Sequence, residues 1–280
     1  MSARHVVFLT DFGNRDWYAG TLHGVVLSVA PETRIIDLTH AIDPGDITAA
    51  AFALEASYRF FPEGTVFCCV VDPGVGTKRA GVCATDGRYY FVAPDNGLLG
   101  RVVRITREAR AELRAHRLSD AAFFLPNVSN TYHGRDVFSP VAAHLSLGVD
   151  VSRFGPAHEL YLPPEDEPRR TSGRIEGRIV YVDVYGNLFT NIRATDLDRE
   201  TGVPPADWRL TIQGPGDTEP VTLSGLSATF GEVDRGQPLF YIGSSGYVEI
   251  AVNQGRADDF FQARTGFSVF LENKSATGRP

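Results

Sequence analysis

The rhythm of hydrophobic and polar positions changes about two-thirds of the way along the chain. Residues 5–9 form a short apolar run, and 18–30 place Leu22, Val25, Val26 and Val29 at helical spacing. The apolar run 34–38 predicts a second strand, stopped by Thr39 and His40. Asp46 is a cap for an alanine-rich helix over about 47–58. The run GTVFCCVVDPG is continuous and β-branched, which predicts a third strand buried on both faces. Residues 81–85 and 89–93, joined by Asp86-Gly87-Arg88, read as a hairpin. A last helix is expected over 136–147, and no element is assigned between 93 and 136. Strands alternating with helices predict an α/β domain whose mainly parallel sheet is covered by helices.

Beyond Leu162 the pattern shifts. LPPEDEPRRTSG is dense in proline and charge, which marks a linker over about 162–173. After it come short apolar runs separated by Gly and Pro turns, as in RIEGRIVYVDVYGN, WRLTIQG and QPLFYIGSSGYVEIAVNQG. These predict an all-β, barrel-like C-terminal domain. The expected division is 1–165 for the α/β domain and 173–280 for the second.

Composition narrows the classes. At 280 residues, with 43% hydrophobic and 22% charged side chains, the chain has the balance of a globular protein. A net charge of −7 argues against a nucleic-acid surface. No run approaches the ~20 apolar residues of a membrane span, and Asp11 interrupts the first apolar stretch, so neither a span nor a signal peptide is expected. Three cysteines, two of them adjacent (Cys68 and Cys69), make neither a disulfide framework nor a metal spacing, and a cytoplasmic location is expected. Of the 27 basic residues only Lys78 and Lys274 are lysines, which carries no functional meaning.

Candidate chemistry lies where strands end, because ligands of open α/β sheets bind beyond the carboxyl ends of the strands. Asp11 follows the first strand and Asp72 the third. A single Asp there serves equally as a turn or cap residue; two on neighbouring strands, each near glycine, point to a site. Asp11 could hold a diol such as a ribose. Arg79 lies seven residues beyond Asp72 across PGVGTK, and a pair held in a crevice would fix the aspartate as an anion and aim it. Among seven histidines, His5, His23, His40, His116, His144 and His158 have bland contexts, whereas His133 sits in the polar loop NVSNTYHGRD directly before a helix. No dinucleotide fingerprint, P-loop or HExxH is present, and the spacing of His133, Asp136 and Asp11 supports no metal site. In the second domain, YVDVYGNLFTNI offers Asn187 to a purine edge with Tyr185 to stack on it, or is an ordinary hairpin. GSSG at 243–246 is either a plain turn or a nest for a carboxylate.

Taken in order, FLTDFG, IIDLTHAIDPGDI, FFPEGTVFCCVVDPGVGTKR, APDNGLLG, YHGRD, YGNLFTNI and GSSGYVEIAVNQG resemble the S-adenosyl-L-methionine (SAM) hydroxide adenosyltransferases over nearly the whole chain. These SAM hydrolases are related to the fluorinase and chlorinase. The resemblance implies hydrolysis of SAM to adenosine and L-methionine without a cofactor. It also implies a homotrimer whose ligand lies between the N-terminal domain of one subunit and the C-terminal domain of the next. Asp72, Arg79 and His133 match the family's catalytic Asp–Arg–His set, with His133 the preferred proton acceptor. Asp11 matches the ribose carboxylate and Asn187 the adenine amide, with Tyr185 and Phe230 similar to its aromatic partners. Asp183 and Ser244 resemble contacts to the methionine amine and carboxylate. Gly45 stands where the fluorinase has a tryptophan, and Ser245 where it has an arginine, so those walls differ. The rivals are a halogenase of the same superfamily and a non-catalytic SAM or adenosine sensor.

Overall fold

The computed structural model describes residues 5–163, 167–171, 173–198, 204–216 and 219–273. It divides into two compact units, residues 1–163 and 164–280. Methionine 1 and Lys274 lie outside the described residues.

In the first unit β1 (Val6–Thr10), β2 (Ile35–Thr39), β3 (Val66–Val70), β4 (Gly81–Thr85), β5 (Tyr90–Pro94) and β6 (Arg114–Arg117) form one sheet in the order β2-β1-β3-β5-β4-β6. The ladders β2-β1-β3-β5 are parallel, while β4 runs antiparallel to both β5 and β6. Every residue of β1 and β3 is buried, as continuous apolar strands in the middle of a covered sheet require. One face carries α1 (Tyr18–Val29) and a later helix, whose Leu22, Val26, Val141 and Leu145 pack with Phe8, Val66 and Cys68 of the sheet. α2 (Ile47–Ser57) starts at Asp46, whose carboxylate accepts from Ala49 N (2.8 Å).

Three features depart from the sequence reading. α3 (Gly100–Glu108) and β6 were not expected. The α3 sequence GRVVRITRE looks too polar for a packed helix, but Arg101 is 2% exposed and donates to the equally buried Glu55 of α2 (2.9 Å). A buried ion pair therefore replaces the apolar contact that periodicity seeks. The last helix also differs. It opens with one π-helical turn, Gly134–Phe138, and continues as α4 (Ser139–Ser146).

The second unit is β-rich, built from β7 (Arg169–Thr171), β8 (Arg174–Val182), β9 (Leu188–Arg193), β10 (Trp208–Gln213), β11 (Val221–Ser224), β12 (Leu226–Ser227), β13 (Pro238–Ile242), β14 (Tyr247–Val252) and β15 (Ser268–Asn273). They follow the order β11-β10-β15-β8-β9-β14-β13-β12, with β7 on the side of β8. β11 also approaches β13, so the sheet curls into a nearly closed barrel. Alternate residues such as Trp208, Leu210 and Ile212 point into its core. Two five-residue helices, α5 (Ala194–Asp198) and α6 (Ala257–Phe261), decorate it.

Cys68, Cys69 and Cys83 are free and buried. Burial pushes the Cys83 thiol up to about 12 and raises Cys68 and Cys69 as well, so these thiols are packing groups. Among the described residues no helix is long and apolar enough to cross a membrane.

Candidate active site

β1 and β3 are parallel neighbours with Thr10 opposite Val70, so the chain leaves the sheet at Asp11 and at Asp72 on the same edge. The two carboxylates share the wall of one cavity of about 570 Å³, together with Phe12, Gly45, Tyr132 and His133. That volume lies in the ordinary range for a small-molecule site.

Each side chain is held by its loop. Asp11 Oδ2 accepts from Gly45 N (2.9 Å). Burial raises the Asp11 pKa; the Gly45 and Asp11 amides oppose the shift, and the charge of Asp72 adds to it. Asp72 follows Val71, whose carbonyl accepts from the Asn96 side chain (2.9 Å), and this ties the APDNG segment to the end of the third strand. Asp72 is then gripped by Arg79 at both oxygens: Nε donates to Oδ1 (3.0 Å) and Nη2 to Oδ2. The two side chains are only 5% and 9% exposed, so the pair is a fixed element and not a solvated surface contact. The Arg79 guanidinium also lies over the Phe138 ring, 5.3 Å from its centroid.

His133 completes the cluster. It caps the π turn, a local widening of helix geometry that often accompanies functional sites. Its loop is pinned from both sides. Asp136, fully buried, accepts from Ser129 N (2.8 Å) and from Arg135 (2.6 Å to Nε). Burial would raise its pKa, but the Arg135 and Ser129 hydrogen bonds outweigh it and hold Asp136 below the ordinary carboxylate value. Tyr132 donates to Tyr18 O (2.5 Å), and Gly134 packs closely on Phe12, whose ring a Cβ there would meet at 3.1 Å. Asp136 is therefore committed to holding the loop.

The contact that fixes the chemistry is Arg79 Nη2 to His133 Nδ1, 3.2 Å. A guanidinium has only donors, so Nδ1 must accept, and the neutral ring carries its proton on Nε2. Burial and the Arg79 charge lower the His133 pKa, against smaller opposing effects of Asp72 and Asp136. The cluster is thus a carboxylate, a guanidinium and a neutral imidazole of fixed tautomer.

In the second unit, Asp183 organises the turn after β8. Its Oδ1 accepts from Tyr185 N (2.9 Å) and Asn187 N (2.8 Å), and its Oδ2 from Asn187 Nδ2 (2.9 Å). The segment is a hairpin between β8 and β9, and one amide hydrogen of Asn187 is spent on Asp183. Tyr185 is 73% exposed, and Phe230 rests against Tyr241 with ring centroids 4.9 Å apart. Ser244 is exposed in the Gly243–Gly246 turn. Sequence reasoning missed Glu249, a buried carboxylate on β14 that accepts from Tyr241 OH (2.7 Å) and Ser245 Oγ (3.1 Å). Burial raises its pKa, and Asp183 adds to the rise. A lone Glu inside the apolar strand YVEIAV was the available signal.

An α/β unit with a paired, anionic cleft at its strand ends, joined in sequence to a barrel-like β unit, defines a two-domain class of small-molecule enzymes. Residues 6–155 match the SAM hydroxide adenosyltransferase N-terminal domain and residues 177–270 its C-terminal domain, and the chain belongs to this family. It is similar to an (R)-S-adenosyl-L-methionine hydrolase of Thermus thermophilus, 36% identical over 96% of this chain and 99% of the relative. A hydrolase of the same name from Salinispora tropica is 34% identical over 93% of this chain and 95% of its own. A fluorinase of an Actinoplanes species is more distant, at 28% identity over 94% and 96%. The crystal structure of an uncharacterized conserved protein from Thermotoga maritima superposes with a TM-score of 0.84, at 33% identity, covering 95% of this chain and 99% of that one.

Proposed function

We propose that the protein hydrolyses SAM to adenosine and L-methionine by in-line attack of water on C5′. The observation that carries this reading is the Asp72–Arg79–His133 cluster in the wall of the cavity that also holds Asp11. SAM is a sulfonium, so methionine leaves as a neutral thioether and no general acid is needed. The reaction consumes one water and releases one proton with the two products, and C5′ inverts.

The site has to align the water and keep other water out. Asp72 retains lone pairs beyond those that hold Arg79, and it accepts a hydrogen bond from the attacking water. As that bond strengthens, the oxygen becomes hydroxide-like, and its attack on a sulfonium cancels charge in a poorly solvated cleft. Positioning of this kind supplies up to roughly 7–11 kcal/mol of a barrier. His133 was the expected proton acceptor, but its Nδ1 faces Arg79 and its other nitrogen bears the proton. We therefore assign it an aligning role as a neutral donor, with the released proton passing to solvent. A neutral ring also avoids a second cation next to the sulfonium.

Asp11 binds the ribose hydroxyls, Asn187 the adenine edge with Tyr185 and Phe230 as its aromatic neighbours, and Asp183 and Ser244 the methionine end. We further propose a homotrimer, in which the second unit of a neighbouring subunit brings these groups to the cavity; the exposure of Tyr185 and Phe230 supports it. No cofactor or metal enters this scheme. Three buried free thiols suit a reducing cytoplasm.

Incubation with SAM, with and without chloride, followed by separation of the nucleosides tests the reading. Adenosine is expected in both. Chlorodeoxyadenosine would establish a halogenase, which an anionic Asp72 disfavours by repelling the halide, and unchanged SAM would leave only a sensor.

A further inference from the structure

Two histidines with bland sequence contexts meet at one carboxylate. His23 comes from α1, Asp37 from β2 and His40 from the turn after it. His23 Nε2 lies 2.7 Å and His40 Nε2 3.0 Å from the same oxygen, Asp37 Oδ1. The three atoms fall within 4.8 Å of one another. Among the described residues no hydrogen bond or ion pair joins this cluster to the Asp72–Arg79–His133 group, and the reaction proposed above does not use it.

His40 makes this more than a surface ion pair. Its side chain is 2% exposed, and its Nε2 is a buried polar atom without a hydrogen-bond partner, because its approach to Asp37 lacks hydrogen-bond geometry. Buried polar atoms in native proteins are almost always satisfied, so an exception calls for a ligand or an ion. The other ring nitrogen is engaged: Nδ1 is 2.7 Å from Thr10 Oγ1, and His40 O accepts from Gly13 N (2.7 Å). When Nδ1 donates to Thr10, the Nε2 lone pair faces an anionic oxygen, an arrangement that a cation between them turns from repulsive to attractive. Imidazoles that bind metals hold their second nitrogen in just this way. Phe8, fully buried, stacks on His23 at 5.5 Å and sits 6.5 Å from the His40 ring, which fixes both planes.

We propose that His23, Asp37 and His40 form a divalent transition-metal site that takes Zn²⁺. Two imidazoles and one carboxylate suit zinc and exclude magnesium and calcium, which require oxygen ligands. Tetrahedral zinc with bonds of ~2.0–2.1 Å sets its ligand atoms roughly 3.3 Å apart, so the two imidazole nitrogens, now 2.7 Å and 3.0 Å from Asp37 Oδ1, would draw back from it by about 0.6 Å and about 0.3 Å. His23 and Asp37 are 32% and 41% exposed, which leaves an entry path and a fourth position for water. The ion would brace the turn after β2, where His40 is hydrogen-bonded to Thr10 and to Gly13 N on either side of Asp11.

The test is zinc binding by the tag-free full chain after treatment with chelator, read by isothermal titration and by metal content after gel filtration. We expect one zinc per chain. His23→Ala and Asp37→Asn change partly exposed side chains, and circular dichroism checks that both variants remain folded. Each removes a ligand, so affinity should fall by more than the roughly 10–100-fold that loss of an outer hydrogen-bond partner costs. Cobalt in place of zinc should give the visible bands of a four-coordinate ion in the wild type and not in either variant. An absence of bound zinc, or binding that survives both substitutions unchanged, would overturn the proposal. His133→Ala, which alters only the other histidine cluster, should bind zinc as the wild type does; loss there would move the metal to the cavity and overturn it too.

Discussion

Arg79 and His133 meet through Nη2 and Nδ1 at 3.2 Å, and this contact sets the protonation of the ring. Burial and the Arg79 charge hold His133 below its ordinary value. As pH falls through that lowered pKa, the ring gains an Nδ1–H directed at a guanidinium and the contact is lost. The rate should therefore show an acid limb whose midpoint lies below the ~6.5 of an unperturbed imidazole. Folded His133 resists protonation more than unfolded His133 does, so the stability it contributes is complete above ~6.5 and declines as pH falls towards the folded pKa. In Arg79→Gln the His133 pKa should rise, since a cation is removed and Asp72 is left beside the ring. Histidine NMR titration reads this directly; a pKa that stays put or falls would remove Arg79 as the controlling neighbour.

Asp72 and Arg79 should be strongly coupled. Removing either leaves the other charge unpaired in the crevice, which costs more than the pair contributes. Asp72→Asn, Arg79→Met and the double variant form a cycle in kcat. Each single change should lower kcat by about 100-fold or more, because each misplaces the water. The double variant should lose far less than the product of the two, with a coupling of roughly 0.5–3 kcal/mol. Adenosine affinity, measured by calorimetry, should change little in all three. Additive losses would mean that the two residues act separately.

What the sequence made legible follows from where signals are local. Strand ends and their carboxylates are local, so Asp11, Asp72 and the burial of β3 could be read from apolar runs closed by Asp and Gly. The cap at Asp46 is local too. α3 was hidden because its buried face carries Arg101, satisfied by Glu55 46 residues earlier. The same blindness to distant partners concealed the meeting of His23 with His40, and of Asn96 with Val71 O. The π turn was invisible for a different reason: GRDVF has ordinary helical spacing, and nothing local in it marks a wider turn. His133 was singled out from its loop, but its tautomer depends on Arg79, 54 residues away.

Asp11 should act on binding more than on chemistry. Hydrogen bonds to ribose hydroxyls are similar in the ground and transition states, so their loss is largely uniform. Asp11→Ala should raise KM for SAM and weaken adenosine together, with kcat much less affected. Burial raises the Asp11 pKa, so the carboxylate begins to protonate above the ordinary ~3.9 of aspartate as pH is lowered. Adenosine affinity in the wild type should accordingly weaken in mildly acidic solution, and Asp11→Asn should remove that dependence. An unchanged KM with a collapsed kcat would assign Asp11 to the bond-breaking step.

Gly76 offers a test of how the loops that carry Arg79 and His133 hold each other. It lies in the loop between Asp72 and Arg79 with φ of 76°, and a Cβ there would sit 2.3 Å from Asn130 O, in the loop that carries His133. The backbone conformation alone costs an L-residue about 1–2 kcal/mol. The overlap adds to this, because a carbonyl oxygen of the main chain cannot swing aside as a side chain would. Gly76→Ala should therefore separate the loops and lengthen the Arg79–His133 contact, although neither residue is altered. We expect a lower Tm together with a fall in kcat and little change in adenosine binding, since Asp11 stands on a different strand end. Gly87→Ala is the control. Gly87 also has a positive φ, 91°, but nothing lies near its Cβ. It should lose stability from backbone strain and keep its kcat. Equal kcat in the two variants would show that the contact between the loops does not position His133.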